Sequence, residues 1–505
     1  MTKTFNWKIV IRTYGALLLI ESLFMSVPTV AAYLYGDSDG GAFAVSTLIT
    51  LIAGAIGIRV GRNARTRVSE REGYLIVALV WIVFSLFGML PFYLSGALDT
   101  VTDSWFETMS GFSTTGYSVI KNVEVQSHAI LLWRAICQWL GGMGIIVLSV
   151  AILPMSGLGG MQLYAAEVTG VSYEKLSPRI NDTARLLWGT YVFLTVIETF
   201  LLKFFGMDMF DAVCHSMSTV STGGFSTKNT SLMDYSPAIQ YTVAVFMMLS
   251  GINFAQIIYF MRGKPEKLYR DEETRWYVGA VLVCTVVLTL GLFVYYTWIA
   301  PADYLPRLLD ANVVKGYAVH AEWAFRNAFF TTCSVITSTG FASADYMLWP
   351  KLLWVFVFLM MFMGGASGST AGGIKWVRIA IFAKNAKAEL YRRIHPNAVL
   401  PIRFNGQPLS QSVTNNVMAF MFFYIAIIVI AMFIFIACGI SPGEAFATAV
   451  SGMGNVGESI GQYGPSGNYA NFPIVAKWVM TVVMLIGRLE IFTVLLLFSP
   501  VLWKK

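Results

Sequence analysis

The chain has 505 residues, of which 12% are charged and 56% are Ala, Val, Ile, Leu, Met, Phe, Trp, Tyr or Cys. Soluble proteins carry about 25% charged residues, so this composition, with a mean hydropathy of +0.64, excludes a set of water-soluble domains. The net charge of +7 would suggest nucleic-acid binding in a soluble chain, but here the positions of the cations give it a different cause. The composition predicts a polytopic membrane protein.

Ten apolar segments are each long enough to cross the ~30 Å hydrocarbon core of a bilayer as a helix. They lie at residues 12–34, 42–60, 74–96, 128–153, 185–206, 237–261, 275–300, 350–383, 414–439 and 473–499. The first contains Glu21 and lacks a convincing cleavage site, so we interpret it as a retained helix rather than a signal peptide.

Lysine and arginine residues concentrate at both ends of the chain and in the loops after the second, fourth, sixth and eighth segments. Because short cytoplasmic loops retain cations, this pattern predicts that both termini are cytoplasmic. The net positive charge then reflects the membrane topology. Binding of anionic lipid or of a partner protein would be a secondary role of these loops.

Four semi-polar segments follow the third, fifth, seventh and ninth apolar segments, and they align without gaps. They read DSWFETMSGFSTTGYS from Asp103, DAVCHSMSTVSTGGFS from Asp211, NAFFTTCSVITSTGFA from Asn327 and EAFATAVSGMGNVGES from Glu444. A glycine occupies one position of this register in all four segments, and a serine lies six residues before it. These residues are Gly116, Gly224, Gly340 and Gly457, with Ser110, Ser218, Ser334 and Ser451.

The first residue of each segment is acidic or an amide and suits a helix N-cap or first turn, so we predict that a short helix begins there. About ten residues of helix rise only ~15 Å, so each helix enters the membrane partway and the chain must return in extended form. Irregular backbone at membrane depth requires protein or water around it. Four such hairpins gathered around one axis would supply that environment.

The predicted fold is therefore an all-α polytopic membrane protein with four pseudo-symmetric repeats of helix, re-entrant pore loop and helix around one ion pore. Two leading helices occupy residues 1–72, and the repeats occupy 73–160, 161–265, 266–395 and 396–505. A ring of backbone carbonyls can replace the water around a monovalent cation, and glycine permits the dihedrals this requires. The pattern predicts a cation-selective pore. The alternative, that each glycine serves helix packing or a turn, is disfavoured by the register shared among four loops.

These residues resemble the membrane subunit of Trk/Ktr-type potassium uptake systems, in the TrkH-like branch, over nearly the whole chain. The motifs that carry the resemblance are TTGYS at 114–118, TGGFS at 222–226, TSTGF at 337–341, GNVGE at 454–458, WLGGMGI at 139–145, GGASGSTAGGIK at 364–375 and GRLEIFT at 487–493. The resemblance implies K⁺ uptake across a bacterial cytoplasmic membrane through a single-file filter. The implied filter residues, which bind K⁺ through backbone carbonyls, are Thr114, Thr115, Gly116, Thr222, Gly223, Gly224, Ser338, Thr339, Gly340, Asn455, Val456 and Gly457.

Two positions bear on selectivity. Relatives with serine in the first loop tend to carry Na⁺, so Gly116 implies K⁺. TrkH-like fourth loops often continue with Pro-Gly, whereas Glu458 and Ser459 follow Gly457 here. The additional acid is expected to attract cations or to change the discrimination of rubidium and sodium.

The eighth apolar segment is interrupted by a glycine-rich run that is costly in a helix and is a candidate gate. No P-loop signature follows, which disfavours a nucleotide site. The resemblance implies an intramembrane loop at 364–375 that obstructs the closed pore below the filter; the alternative is a packing kink filled by small residues. The implied gate residues are Gly364, Gly365, Gly368, Ser369, Thr370, Gly372, Gly373, Lys375 and Arg488.

Arg488 is predicted to lie ~21 Å along the tenth segment, where a charge needs a partner or water. We expect it to face the pore and to raise the barrier to permeation. The alternative is a pair with an acid on another helix, for which Glu490 is badly placed at i+2.

A coupled K⁺/Na⁺ or K⁺/H⁺ symporter would share this fold and remains open. An intramembrane enzyme would need a nucleophile with a base, or clustered metal ligands, and His128, His320 and His395 suggest neither. We expect no enzyme activity, no covalently bound cofactor and no nucleic-acid partner, with K⁺ as the substrate ion. The resemblance further implies a homodimer and a TrkA-like cytosolic ring of nucleotide-binding regulatory subunits docked on the basic loops.

Overall fold

The computed structural model describes residues 5–64, 69–156, 180–299, 317–398 and 400–503. Within these ranges the regular secondary structure is helical apart from a two-stranded hairpin, Arg403–Phe404 paired with Gln407–Pro408. Six described helices are long and apolar enough to cross a membrane, and two bent helix pairs would each count as one more span. The all-α membrane fold agrees with the sequence, while the count of ten crossings stays a prediction.

The two leading helices, α1 (Trp7–Tyr35) and α2 (Gly40–Val60), pack along each other. A Cβ placed on Gly15 would lie 2.8 Å from the carbonyl oxygen of Gly54, and one on Gly57 would lie 2.8 Å from the Cα of Gly15. Small residues at such contacts let membrane helices approach closely enough for backbone packing.

The remaining helices follow the predicted pattern of a long helix, a short helix, a return loop and a further helical part. In the first two repeats they are α3 (Glu70–Gly88), α4 (Leu90–Leu94), α5 (Val101–Phe112), α6 (His128–Ser156), α7 (Ile180–Phe204), α8 (Met209–Val220), α9 (Pro237–Ser250) and α10 (Phe254–Met261). In the last two they are α11 (Pro265–Arg270), α12 (Glu272–Val294), α13 (Tyr317–Ile336), α14 (Lys351–Met360), α15 (Trp376–Ile394), α16 (Gln411–Ala437), α17 (Pro442–Gly454), α18 (Ile474–Arg488), α19 (Phe492–Phe498) and α20 (Pro500–Trp503). A π-helical turn, Tyr295–Ile299, continues α12.

Three of the short helices begin earlier than predicted. Their observed N-caps are Thr100, Asp208 and Ser441. The acids predicted for an N-cap or first turn lie in the first helical turn, at Asp103, Asp211 and Glu444. Asn327 lies inside the 20-residue helix α13. The first-turn alternative is therefore confirmed for the three acids, whereas Asn327 is neither a cap nor a first-turn residue.

Two predicted crossings are sharply bent. Helices α9 and α10 meet at 104°, and α18 and α19 meet at 115°. At the first bend, the Asn253 side chain caps α10 by accepting a hydrogen bond from the Ala255 N–H at 2.8 Å. At the second, Glu490 and Ile491 have φ of 58° and 51°, an unfavourable conformation for β-branched isoleucine. Helix α6 has a further break, at Gly144.

Candidate functional site

The four return loops share one backbone conformation. Two residues before each glycine lies a non-glycine residue with positive φ: Thr114 (54°), Thr222 (56°), Ser338 (54°) and Asn455 (54°). The register glycines have φ of 86°, 77°, 78° and 94° in chain order. Since positive φ is uncommon outside glycine, its recurrence at one register position indicates a conformation imposed by the surrounding fold.

Each register serine anchors its loop through its backbone. Its carbonyl oxygen accepts a hydrogen bond from the residue before the glycine, at 2.8 to 2.9 Å: Thr115 to Ser110, Gly223 to Ser218, Thr339 to Ser334 and Val456 to Ser451. The hydroxyls of Ser110 and Ser218 are buried and have no hydrogen-bond partner in the described part of the chain. These two serines therefore lack the adjacent base that a nucleophile requires.

The four glycines form a closed ring. In the next loop, the residue before the register glycine points its carbonyl oxygen at this position. A Cβ added to any of the four glycines would lie 2.0 to 2.3 Å from that oxygen. The contacts are Gly116 to Gly223, Gly224 to Thr339, Gly340 to Val456 and Gly457 to Thr115. Because the last loop contacts the first, the four loops surround one point, and a side chain at any of these positions would collide with its neighbour.

A cavity of about 140 Å³ adjoins the ring and is lined by all four glycines. The segments that follow the glycines in repeats 1, 2 and 4 form most of its wall. Lys121, Arg134 and Lys228 line it from repeats 1 and 2, and Glu458 lines it from repeat 4. We call this space the vestibule.

Paired side chains fix the return loops. In three repeats, the residue nine before the glycine bonds the residue two after it: Glu107 with Ser118 (3.0 Å), His215 with Ser226 (2.9 Å) and Thr448 with Ser459 (3.0 Å). Repeat 3 has Ala342 at the second position, and there Ser343 donates to Asn327 at 2.8 Å instead.

The first-turn acids perform a related task. Asp211 accepts a hydrogen bond from Thr227 (2.7 Å), and Glu444 accepts one from the backbone of Gln462 (3.1 Å). In repeat 1, Asp103 binds Lys477 of α18 at 2.6 Å. The polar residue recurring thirteen positions before the glycine therefore bonds a return loop or neighbouring helix.

A buried ion pair within repeat 1 contacts the return loop of repeat 2. Arg134 Nε lies 2.8 Å from Glu107, with side-chain exposures of 3% and 0%. Arg134 also donates to the Ser226 carbonyl at 3.0 Å and lies over the Phe225 ring at 4.1 Å. The sequence analysis missed this pair, although an arginine inside an apolar segment was a usable signal.

Gln138 is a second residue that the sequence analysis missed. Its amide donates to the Gly223 carbonyl at 2.6 Å and accepts from the Phe225 N–H at 3.0 Å. A Cβ on Gly223 would lie 2.4 Å from the Gln138 amide carbon, so this glutamine occupies the space of the absent side chain. The second loop is thereby fixed from α6.

The glycine-rich run at 364–375 packs against the ring as a loop between α14 and α15. The Gly364 N–H donates to the Ile374 carbonyl at 2.9 Å and closes its base. The Gly372 N–H donates to the Ser338 hydroxyl at 2.6 Å. A Cβ on Gly372 would lie 2.4 Å from the Gly454 carbonyl oxygen, so the loop contacts both the third and fourth filter segments.

The rest of this loop lies against the bend between α9 and α10. The Gly251 carbonyl accepts from Ala366 at 2.8 Å, and the Gly368 carbonyl accepts from Phe254 at 3.2 Å. Other predicted gate residues bond within the loop or to its neighbours: Ser369 to Ala366, Lys375 to Ala371 and Thr370 to Val220. Gly365 packs near the Gly251 carbonyl, and Gly373 has a φ of 67°.

Arg488 is the last residue of α18, at the 115° bend. It donates to the carbonyls of Thr370 (2.7 Å), Gly141 (2.6 Å) and Gly142 (2.7 Å). Its charge is thus shared between the 364–375 loop and α6. Neither sequence interpretation anticipated backbone carbonyls as partners, and Glu490 pairs with Arg378 instead.

The chain matches the TrkH family model, described as cation transport protein, over residues 41–505. It is 37% identical to the Trk system potassium uptake protein TrkH of Escherichia coli K12, over 99% of this chain and 100% of that protein. TrkH of Halomonas elongata is 36% identical, over 99% of each chain. The crystal structure of the potassium transporter TrkH from Vibrio parahaemolyticus matches with a TM-score of 0.85 and 34% identity, covering 99% of this chain and 100% of that one. The chain belongs to the TrkH family of cation transport proteins, which are transporters and not enzymes.

Proposed function

We propose that this protein takes up K⁺ across the bacterial cytoplasmic membrane through a pore at the ring of four glycines. The relatives named as potassium uptake proteins support the choice of ion. The observation that carries the proposal is the closed cycle of contacts in which each glycine abuts the backbone carbonyl of the next loop. A cycle of this kind brings main-chain oxygens from four hairpins to one point, as the coordination of a dehydrated cation requires.

The filter residues in this proposal are those at the glycine and the two positions before it in each loop. Carbonyl dipoles bind K⁺ strongly enough to replace its water but weakly enough for release. The membrane potential then drives the ion inward at ~2.3 kcal/mol per 100 mV, so uptake needs no covalent chemistry and no bound cofactor.

The 364–375 loop and Arg488 form the gate in this proposal. Support comes from the hydrogen bond between Gly372 and the filter residue Ser338, which places the loop directly against the ring. Arg488 fixes the loop to α6 and adds a positive charge on that side of the ring. Displacing the loop would break these bonds and open the path that it fills.

The regulatory partners are part of the same proposal. Two predicted cytoplasmic loops meet at α12 and α15, where Lys384 pairs with Glu272 and donates to the Arg403 carbonyl of the hairpin at 2.7 Å. This basic surface, with the exposed Leu390 and Ile394, suits a cytosolic ring of nucleotide-binding subunits. The assembly is a homodimer with both termini in the cytoplasm.

The experiment is growth rescue of a potassium-uptake-deficient bacterium at low external K⁺, with the regulatory subunit supplied. Gly116→Ala should abolish rescue, because its Cβ would collide with the Gly223 carbonyl. Gly96→Ala is the matched control, since Gly96 precedes the same short helix with a φ of 74° but has nothing within 4 Å of its Cβ position. Equal loss in both variants, or no uptake by the parent, would refute the proposal.

The same strains separate a pore from a symporter. For a pore, uptake by the parent should follow the membrane potential and should not require external Na⁺. A strict requirement for Na⁺ or for an inward proton gradient would replace the pore with coupled K⁺/Na⁺ or K⁺/H⁺ transport on the same fold.

A further inference from the structure

The four loops differ in chemical character at the position directly after the register glycine, which lines the vestibule in repeats 2 and 4. The residue directly after the register glycine is aromatic in three of them, at Tyr117, Phe225 and Phe341, and is Glu458 in the fourth. All four are buried, with exposures of 0%, 4%, 1% and 7%. In three repeats this position carries an aromatic side chain that packs against a neighbouring element. In the fourth repeat it carries a carboxylate beside the four glycines.

The aromatic residues at this position have defined structural contacts. Tyr117 donates to the Thr448 carbonyl at 3.1 Å, and the Phe225 ring lies under Arg134. Phe341 packs beside His215, with ring centroids 5.8 Å apart. Each of these rings thus packs its loop against another repeat. A carboxylate cannot replace such packing, so Glu458 needs another explanation.

Other acids around the return loops are bonded to the protein. Asp345 accepts from the Ser466 hydroxyl and from the Met347 N–H, each at 2.9 Å, and Glu107 is paired with Arg134. In contrast, no hydrogen bond or ion pair joins the Glu458 carboxylate to any residue in the described ranges. Glu458 is more than nine-tenths buried and lacks a protein partner, so its carboxyl group is ionised only beside a cation or water and is otherwise protonated.

Glu458 also lies where a cation would pass. It lines the vestibule together with Gly116, Gly224, Gly340 and Gly457. The basic side chains of the vestibule come from repeats 1 and 2. A cation is therefore repelled less on the side of the vestibule formed by repeat 4.

We propose that the Glu458 carboxylate is an outer binding site for K⁺, at which a partly hydrated ion is held in the vestibule beside the ring. The proposal rests on the proposed function and adds a site to it. Ions would leave bulk water at Glu458, lose further water to the backbone carbonyls of the ring, and so reach the filter from a locally raised concentration.

The test measures K⁺ influx into liposomes holding the full-length protein, over a range of external K⁺ at fixed ionic strength. Glu458→Gln removes the charge and keeps the shape, and should raise the half-saturating K⁺ concentration roughly fivefold, as expected for one partly solvated charge close to an ion. The maximal rate should change little, because the ring is untouched. Glu458→Asp keeps the charge and should remain close to the parent.

Asp99→Asn is the control. Asp99 is an exposed acid in the loop before α5, so this substitution removes the same charge at a place away from the vestibule. A change in half-saturation no larger for Glu458→Gln than for Asp99→Asn would overturn the site, while leaving the proposed function intact. Absence of K⁺ influx in the parent would refute the proposed function instead. Each variant is also run on size-exclusion chromatography. A variant that elutes at the same volume as the parent has kept its fold, so a change in its K⁺ influx reports on the site.

Discussion

The ring of glycines and the loop that packs against it differ in how they are held. The ring repeats one contact four times, and each loop is supported by its own buried polar pair. The 364–375 loop occurs in one repeat, and separate hydrogen bonds to Ser338, Gly251, Phe254, Val220, Glu273 and Arg488 hold it in place. A hydrogen bond contributes about 1 kcal/mol net, so the contacts of the loop can be released one at a time, whereas a shift of any loop of the ring displaces the backbone of its neighbours. This contrast suits a rigid filter beside a movable gate.

The largest expected effect tests the rigidity of the ring. Glu107→Gln should destabilise the protein by about 3 kcal/mol, because it leaves the buried Arg134 guanidinium without its counter-charge. The loss should appear as a lower thermal midpoint of the purified protein. Glu322→Gln is the control: its pair with Arg326 has a side chain that is 44% exposed, and such pairs contribute under about 1 kcal/mol.

Comparing the thermal midpoints of Glu107→Gln and Glu322→Gln tests whether the buried pair holds the loops. If Glu107→Gln lowers the midpoint no more than Glu322→Gln does, the buried pair does not hold the first two loops, and the claimed rigidity of the ring loses its main support. A large loss with unchanged selectivity in the surviving protein would instead restrict the role of the pair to stability.

The next effect tests the mobility of the loop. Arg488→Ala removes three hydrogen bonds between a charged donor and backbone carbonyls, and should raise K⁺ leak roughly tenfold by weakening the closed arrangement. Leak is measured in liposomes without the regulatory subunit. Arg185→Ala, which removes an exposed arginine of α7, should leave leak unchanged. Unchanged or reduced leak in Arg488→Ala would show that the arginine does not secure a closed loop.

The sequence predicted the ring well because its signal repeats. Gly116 and its three equivalents share an ungapped register, and a backbone role common to the four repeats explains a glycine that recurs beside varied neighbours. The polar residue thirteen positions earlier repeats too, and its place in a first helical turn was predicted in three repeats, but its bonds to return loops and a neighbouring helix were not. Capping preferences describe a helix in isolation, whereas Asp211 and Glu444 bond return loops that the sequence does not place beside them.

Features that occur once were harder to predict. Glu107 and Arg134 are 27 residues apart and lie in different helices. The sequence around either residue does not indicate that the other is its partner. The bend at Arg488 directly follows Gly487, but its positive-φ residues are Glu490 and Ile491, which no local preference marks. Tertiary contacts impose both features, so a periodicity argument treats the tenth segment as one straight helix.

The smallest effect examines the single bond between the two regions. Ser338→Ala removes the hydroxyl that accepts the Gly372 N–H and should raise leak roughly fivefold, since about 1 kcal/mol of loop stabilisation is lost. Ser338→Thr is the control, because Thr114 and Thr222 occupy the equivalent position at the same φ and retain the hydroxyl. A change in ion selectivity without a change in leak would mean that this hydroxyl serves the filter itself. Increased leak with unchanged selectivity would show that a loop present in one repeat can be loosened while the ring built from all four repeats stays intact.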